Sequence, residues 1–158
     1  MQHCGVARGD PRNASVIAFF QPDLMQAREP PLSQSLGHVA DPLYGLGTHP
    51  DIIEIMWGLD DTLPQPCRWV FWGRPALVHP ETGIVFAVGM GTIGFVMRLP
   101  PEVLAGADPS QARVTLSFNP NRRYDIGPAG PEWRFAFPPA PRADWCRAAY
   151  DFAGMPAN

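Results

Sequence analysis

The chain has no lysine: all 12 basic residues among its 158 are arginine. That absence excludes the phosphate loop G-x-x-x-x-G-K-[ST], whose lysine reaches the phosphates, and it removes lysine Schiff-base chemistry, pyridoxal phosphate attachment included. An arginine-only complement accords with codon usage in a GC-rich bacterial genome. Cysteine is scarce: Cys4, Cys67 and Cys146 are far apart, with no C-x-x-C. Neither a disulfide framework nor a thiolate zinc site is indicated, and the expected compartment is the reducing cytoplasm. Charged residues make up only 17%, and the net charge is −3. A nucleic-acid partner would want a basic stripe to displace phosphate counterions, and Arg122-Arg123 is the only basic doublet. The longest uncharged apolar stretch, Gly83 to Met97, holds four glycines and is shorter than the roughly 20 residues of a membrane span. The opening MQHCGVARGDPRN has no apolar core of a secretory signal, so no leader is expected.

What the chain does have is proline and glycine, 20 and 15 residues, which places much of it in turns and irregular loops. Apolar residues reach 46%, and five Trp and nine Phe offer large areas to bury, so the chain is expected to fold. Its length suits a single domain. Within it, residues 1–47 read as an arm, one strand and an irregular approach, and residues 48–158 as the core.

Hydrophobic periodicity gives the elements. Ser15 to Phe20 is β-branched and aromatic and reads as a strand ended by Gln21-Pro22. Thr48 can cap a helix with Pro50 at its start, and Ile52, Ile55, Met56, Leu59 and Leu63 share one face of it. Four strands follow, Arg68 to Trp72, Ala76 to His79, Ile84 to Val88 and Phe95 to Leu99, the middle two joined by the turn His79-Pro80-Glu81-Thr82-Gly83. Ile84 to Val88 is apolar on both faces, as befits a central strand covered on each side. Val114, Leu116 and Phe118, and then Trp133, Phe135 and Phe137, alternate with polar or small residues in two half-buried strands. Residues 119–131 between them are rich in turn formers and read as a long surface loop. A last helix opens at Pro141 and stops at Gly154, with Trp145, Ala148, Ala149 and Phe152 as its buried stripe and Arg147 placed to pair with Asp151. The fold class expected is α+β, a largely antiparallel sheet of about 6–7 strands with two main helices, about 49–61 and 141–153, packed on it.

Gly89, Gly91 and Gly94 spell G-x-G-x-x-G after an apolar run, the pattern of a dinucleotide site. That site needs its last glycine to open a helix inside a strand–helix–strand unit. Here only Phe95 to Leu99 follow, bulky or β-branched for the most part, before Pro100-Pro101 stops any extension. Strand is the local preference, and no cofactor is expected. Arg8-Gly9-Asp10 and the sequon Asn13-Ala14-Ser15 match adhesion and glycosylation patterns that need an extracellular chain, and neither is expected to be used.

No catalytic motif stands out. There is no G-x-S-x-G elbow, and Cys146, near the apolar stripe of the last helix, reads as a buried inert thiol. Asp60-Asp61 could do acid–base work but lies just past a helix, where acids usually face solvent. His38, His49 and His79 with Cys67 could converge on a metal only by folding, since none stands at ligand spacing; no metal is expected. His79, at the hairpin corner, is suited to accept a hydrogen bond that pins the turn. Arg98 is the most unusual residue, a charge between apolar neighbours in a strand: at an exposed edge it is ordinary solvation, in a cleft it is a clamp for carboxylate or phosphate. Arg74, Arg122 and Arg123, with Trp69, Trp72 and Tyr124 nearby, form the arginine and aromatic mixture of protein-contact surfaces.

Two functions follow as expectations. The first is a non-catalytic, cofactor-free protein that binds another protein, an accessory or immunity-like inhibitor, through Trp72, Arg74, His79, Arg98, Arg122, Arg123 and Tyr124; it rests on aromatic content beyond what one small core requires. The alternative is a small enzyme with an anion-binding pocket using Arg98 and His79.

Overall fold

A computed structural model describes residues 5–20, 50–64, 68–71, 74–90, 94–107, 113–116, 119–125, 129–136 and 143–157. In chain order the elements are α1 (Pro11–Phe20), α2 (Pro50–Asp60), β1 (Arg68–Phe71), β2 (Arg74–Val78), β3 (Val85–Met90), β4 (Gly94–Arg98), α3 (Pro101–Leu104), β5 (Arg113–Leu116), β6 (Asn119–Asp125), β7 (Trp133–Ala136) and α4 (Ala143–Ala153).

The expected sheet of 6–7 strands is not what forms. Five strands make an antiparallel sheet in the order β1-β2-β3-β4-β7, while β5 and β6 pair only with each other in a separate two-stranded ribbon. The ribbon also replaces part of the surface loop expected over 119–131. Pro120 lacks a backbone donor, and β6 tolerates it because it falls at the register shift between the Asn119 and Arg123 pairings.

The second correction is α1. The segment read as a strand, Ser15 to Phe20, is the end of a helix that begins at Pro11. The start signal is Asp10-Pro11: the Asp10 carboxylate accepts the backbone N–H of Arg12 at 2.9 Å, and Pro11 occupies a position whose N–H would have no helical partner. Asn13, Val16 and Ile17 then fall on one face at helical spacing, with Asn13 and Val16 fully buried.

With α1 in place the sheet is covered on both faces. On one side Leu77, Phe86, Phe95, Met97 and Leu99 pack with Met56, Trp57 and Leu59 of α2 and Trp145, Cys146, Ala149 and Tyr150 of α4. On the other, Ala76, Val78, Val85, Val88, Val96, Trp133 and Phe135 pack with Val16 of α1, joined by Ile17 and Phe19. Two-sided burial explains why β4 is buried at every residue, Arg98 included.

The G-x-G-x-x-G segment is the join of an antiparallel pair. Gly89 lies opposite Phe95 and Met90 opposite Gly94, and the chain after Gly94 continues as strand. Gly89 is glycine for packing: a Cβ there would meet Pro75 Cγ at 2.6 Å. Between β2 and β3 the turn closes through His79 N–H to Ile84 O and Gly83 N–H to His79 O, both 2.9 Å, with Gly83 at φ 70°. Asn13 ties α1 to that turn. Its Nδ2 donates to Ala7 O at 2.8 Å and Gly83 O at 3.0 Å, and its Oδ1 accepts from Val85 N–H at 3.0 Å. A residue buried this completely, with its amide so engaged, has no room for a glycan.

Candidate anion-binding site

Arg98 is the last residue of β4, paired with Trp133 across to β7. By strand alternation it follows Val96 onto the α1 face. Its guanidinium also meets α4, with Cζ 4.3 Å from the centre of the Phe152 ring, so it sits where the two helical layers converge at one end of the sheet. The residue is only 7% exposed. Glu132, just before β7, brings a carboxylate oxygen to 3.5 Å from Nε, near enough for charge attraction but too far for a good hydrogen bond. Both Nε and Nη1 are buried with no acceptor among the described residues. Burial pushes the Arg98 pKa below its ordinary value, while Glu132 works against that shift.

Arg12, beside it on the first turn of α1, has three of its five N–H groups engaged by side chain and backbone acceptors. Its Nε and Nη2 donate to the two oxygens of Asp10 at 3.1 and 2.9 Å, and its Nη1 donates to the carbonyl of Met155. The hydrogen bond from Arg12 also holds the Asp10 carboxyl below its ordinary pKa. These bonds attach the segment after α4 to α1. Between them opens a cavity of about 460 Å³ lined by Arg12, Arg98, Phe152, Met155, Pro156 and Ala157. That volume lies within the usual range for small-molecule sites.

His79 has another task. Its Nδ1 accepts the backbone N–H groups of Glu81 and Thr82 at 3.2 and 3.4 Å, its ring lies 4.6 Å from that of Tyr150, and its Nε2 packs on Gly154. Thr82 adds a bond from Oγ1 to Ala153 O at 2.8 Å. The imidazole therefore pins the turn and clamps the end of α4, and it is not part of the cavity lining. The pairing of Arg98 with His79 in one pocket, anticipated from sequence, is not what the fold builds. Burial lowers the His79 pKa, with Glu81 and Asp151 opposing.

Of the other anticipated residues, Arg74 stands in β2 and Arg122, Arg123 and Tyr124 in β6, and Trp72 lies outside the described residues. So do His38, His49 and Cys67 of the possible metal set. Among the described residues no three His, Cys, Asp or Glu side chains are grouped to hold a metal, and no helix is long and apolar enough to cross a membrane. Sequence reasoning singled out Arg98 but missed Arg12, which stands on the helix α1 whose later residues read as a strand, and Met155 and Pro156, which follow α4.

No protein-family model, curated protein or solved structure matches the chain. The site must be read from its own chemistry. It offers a desolvated guanidinium with unused donors on an aromatic ring, and its described lining includes no side chain able to take up a proton near neutral pH.

Proposed function

We propose that this protein is a recognition domain that holds a small anionic ligand against Arg98. The observation that carries the reading is the Arg98 guanidinium, with Nε and Nη1 buried and unsatisfied, on a residue that lines a ligand-sized cavity. Buried donors nearly always have acceptors, so an orphaned pair on a residue that lines a cavity supports an anion as the missing partner, met by a small shift of the side chain. Binding is favoured over catalysis because the described lining supplies positive charge and apolar contact, with no base or nucleophile among its described residues. The role anticipated first, binding another protein, drew on an aromatic surplus. Trp57, Trp133, Trp145, Phe86, Phe95 and Phe135 are all buried, so two packed sheet faces account for much of that surplus. A cytoplasmic setting, where small organic anions are abundant and thiols stay reduced, fits this role.

The test is thermal unfolding at fixed ionic strength with a panel of organic and inorganic anions. An anion that binds only the folded state raises the midpoint in proportion to the logarithm of its concentration. At least one anion should do so for the native chain and not for Arg98→Met. A panel without any Arg98-dependent shift would refute the proposal.

A further inference from the structure

Taking that anion-binding role as given, we infer that the ligand is an amphipathic monocarboxylate, a single carboxylate on an aromatic or branched apolar body, and not phosphate. Three features of the site lead there. First, donors are few. Arg12 spends three of its five N–H groups on Asp10 and Met155 O, so Arg98 has the larger share of donors to give. One guanidinium can satisfy the two oxygens of a carboxylate; the oxygens of a phosphate dianion need more donors than it has.

Second, charge is nearly balanced before any ligand arrives. Arg98 and Arg12 face Glu132 and Asp10, so a monoanion takes the group to a net charge of −1 and a dianion to −2. Beside a guanidinium as buried as that of Arg98 the second charge is the costlier. Third, the rest of the described wall is Phe152, Met155, Pro156 and Ala157, without a polar side chain. A body seated there must be apolar, and Met155 can adapt its thioether to the shape presented. The Phe152 ring under the guanidinium completes the arrangement, with charge recognised at one end and hydrocarbon at the other.

Isothermal titration of the full chain with four probes, phenylacetate, phenylacetamide, acetate and inorganic phosphate, tests this at constant ionic strength. Phenylacetate should bind most tightly, with phenylacetamide and acetate each weaker by about tenfold or more, as loss of the charged hydrogen bonds or of the buried body dictates. Phosphate should give no heat of binding. Arg98→Met should abolish phenylacetate binding, and Ala157→Trp, a change at an exposed lining residue, should block the cavity without touching the core. Phosphate binding through Arg98 in preference to phenylacetate would overturn the ligand class and leave the anion-binding role standing. Phenylacetamide matching phenylacetate, or binding that persists in both variants, would overturn the inference. Heats absent for every probe, together with an anion panel that leaves the native melting midpoint unmoved, would remove both.

Discussion

Replacing Arg98 by methionine should make the protein more stable, not less. Met keeps much of the length of the side chain and removes a guanidinium that is 7% exposed. Two buried donors, Nε and Nη1, disappear with it, and each unsatisfied donor costs about 1–3 kcal/mol. Against this stand the contact with Phe152, worth about 0.5–2 kcal/mol, and the long pairing with Glu132, worth about 0.2–1 kcal/mol because that carboxylate is partly solvated. Glu132 retains access to water, so the change does not strand a buried charge. The balance favours the variant by about 1–3 kcal/mol, within the range seen when apolar residues replace buried ions. With a urea slope near 2 kcal/mol/M, the midpoint should rise by about 0.5–1.5 M, read by tryptophan fluorescence. A fall in the midpoint would refute the reasoning: the guanidinium would then be a structural strut, and its orphaned donors no sign of a ligand.

Two further outcomes follow from the same end of the sheet. His79 is held neutral in the fold, with its pKa below the unfolded value of about 6.5, so its contribution to stability is complete above that pH. As the pH falls below it the unfolded chain takes up the proton first and stability declines, levelling off once the folded-state value is passed. Urea midpoints at pH 7.5 and 5.5 should therefore differ more for the native chain than for His79→Asn, which keeps a side-chain acceptor for the turn but cannot titrate. Asn13→Ala strips Val85 N–H of its acceptor and Ala7 O and Gly83 O of a donor, a loss of about 2–4 kcal/mol that should lower the melting midpoint by about 5–15 °C. A shift under about 2 °C would mean that water replaces the amide without penalty.

Which parts of the fold were legible depends on whether the local pattern and the tertiary environment agree. Residues 84–88 are apolar throughout, and β3 is indeed a central strand with helices on both faces. Met56 and Leu59 on α2, Leu63 just beyond its end, and Trp145 and Ala149 on α4 are buried as their spacing requires. Ala148 and Phe152 are only partly buried, because the stripe turns toward Cys146, Tyr150 and Ala153. Arg147 and Asp151 pair at 3.1 Å, as their spacing of one turn suggested. Agreement fails at SVIAFF, where β-branched and aromatic residues favour a strand by local preference, while Asp10-Pro11 and docking of Val16 on the sheet impose a helix. It fails again at β6, whose turn-forming residues conceal a pairing partner in β5. The site was half visible. A charge among apolar neighbours marked Arg98, and His79 took the turn-pinning role its position suggested. Arg12 and the residues after α4 are brought in by long-range docking, which no short window of sequence encodes.

The contact between Asn13 and Val85 spans 72 positions of chain. On a ribosome delivering a few residues each second, α1 leaves the exit tunnel well before the surface it must lie on exists. For several seconds Val16, Ile17 and Phe19 have nothing to rest against, and a helix of 10 residues is too short to persist alone in water. A segment made before the sheet is thus among the last to settle, and until it does the growing sheet presents Val78, Val85, Val88 and Val96 to whatever else is nearby. Synthesis at low temperature, or alongside a holding chaperone, should raise the yield of native protein more than any change confined to the finished surface.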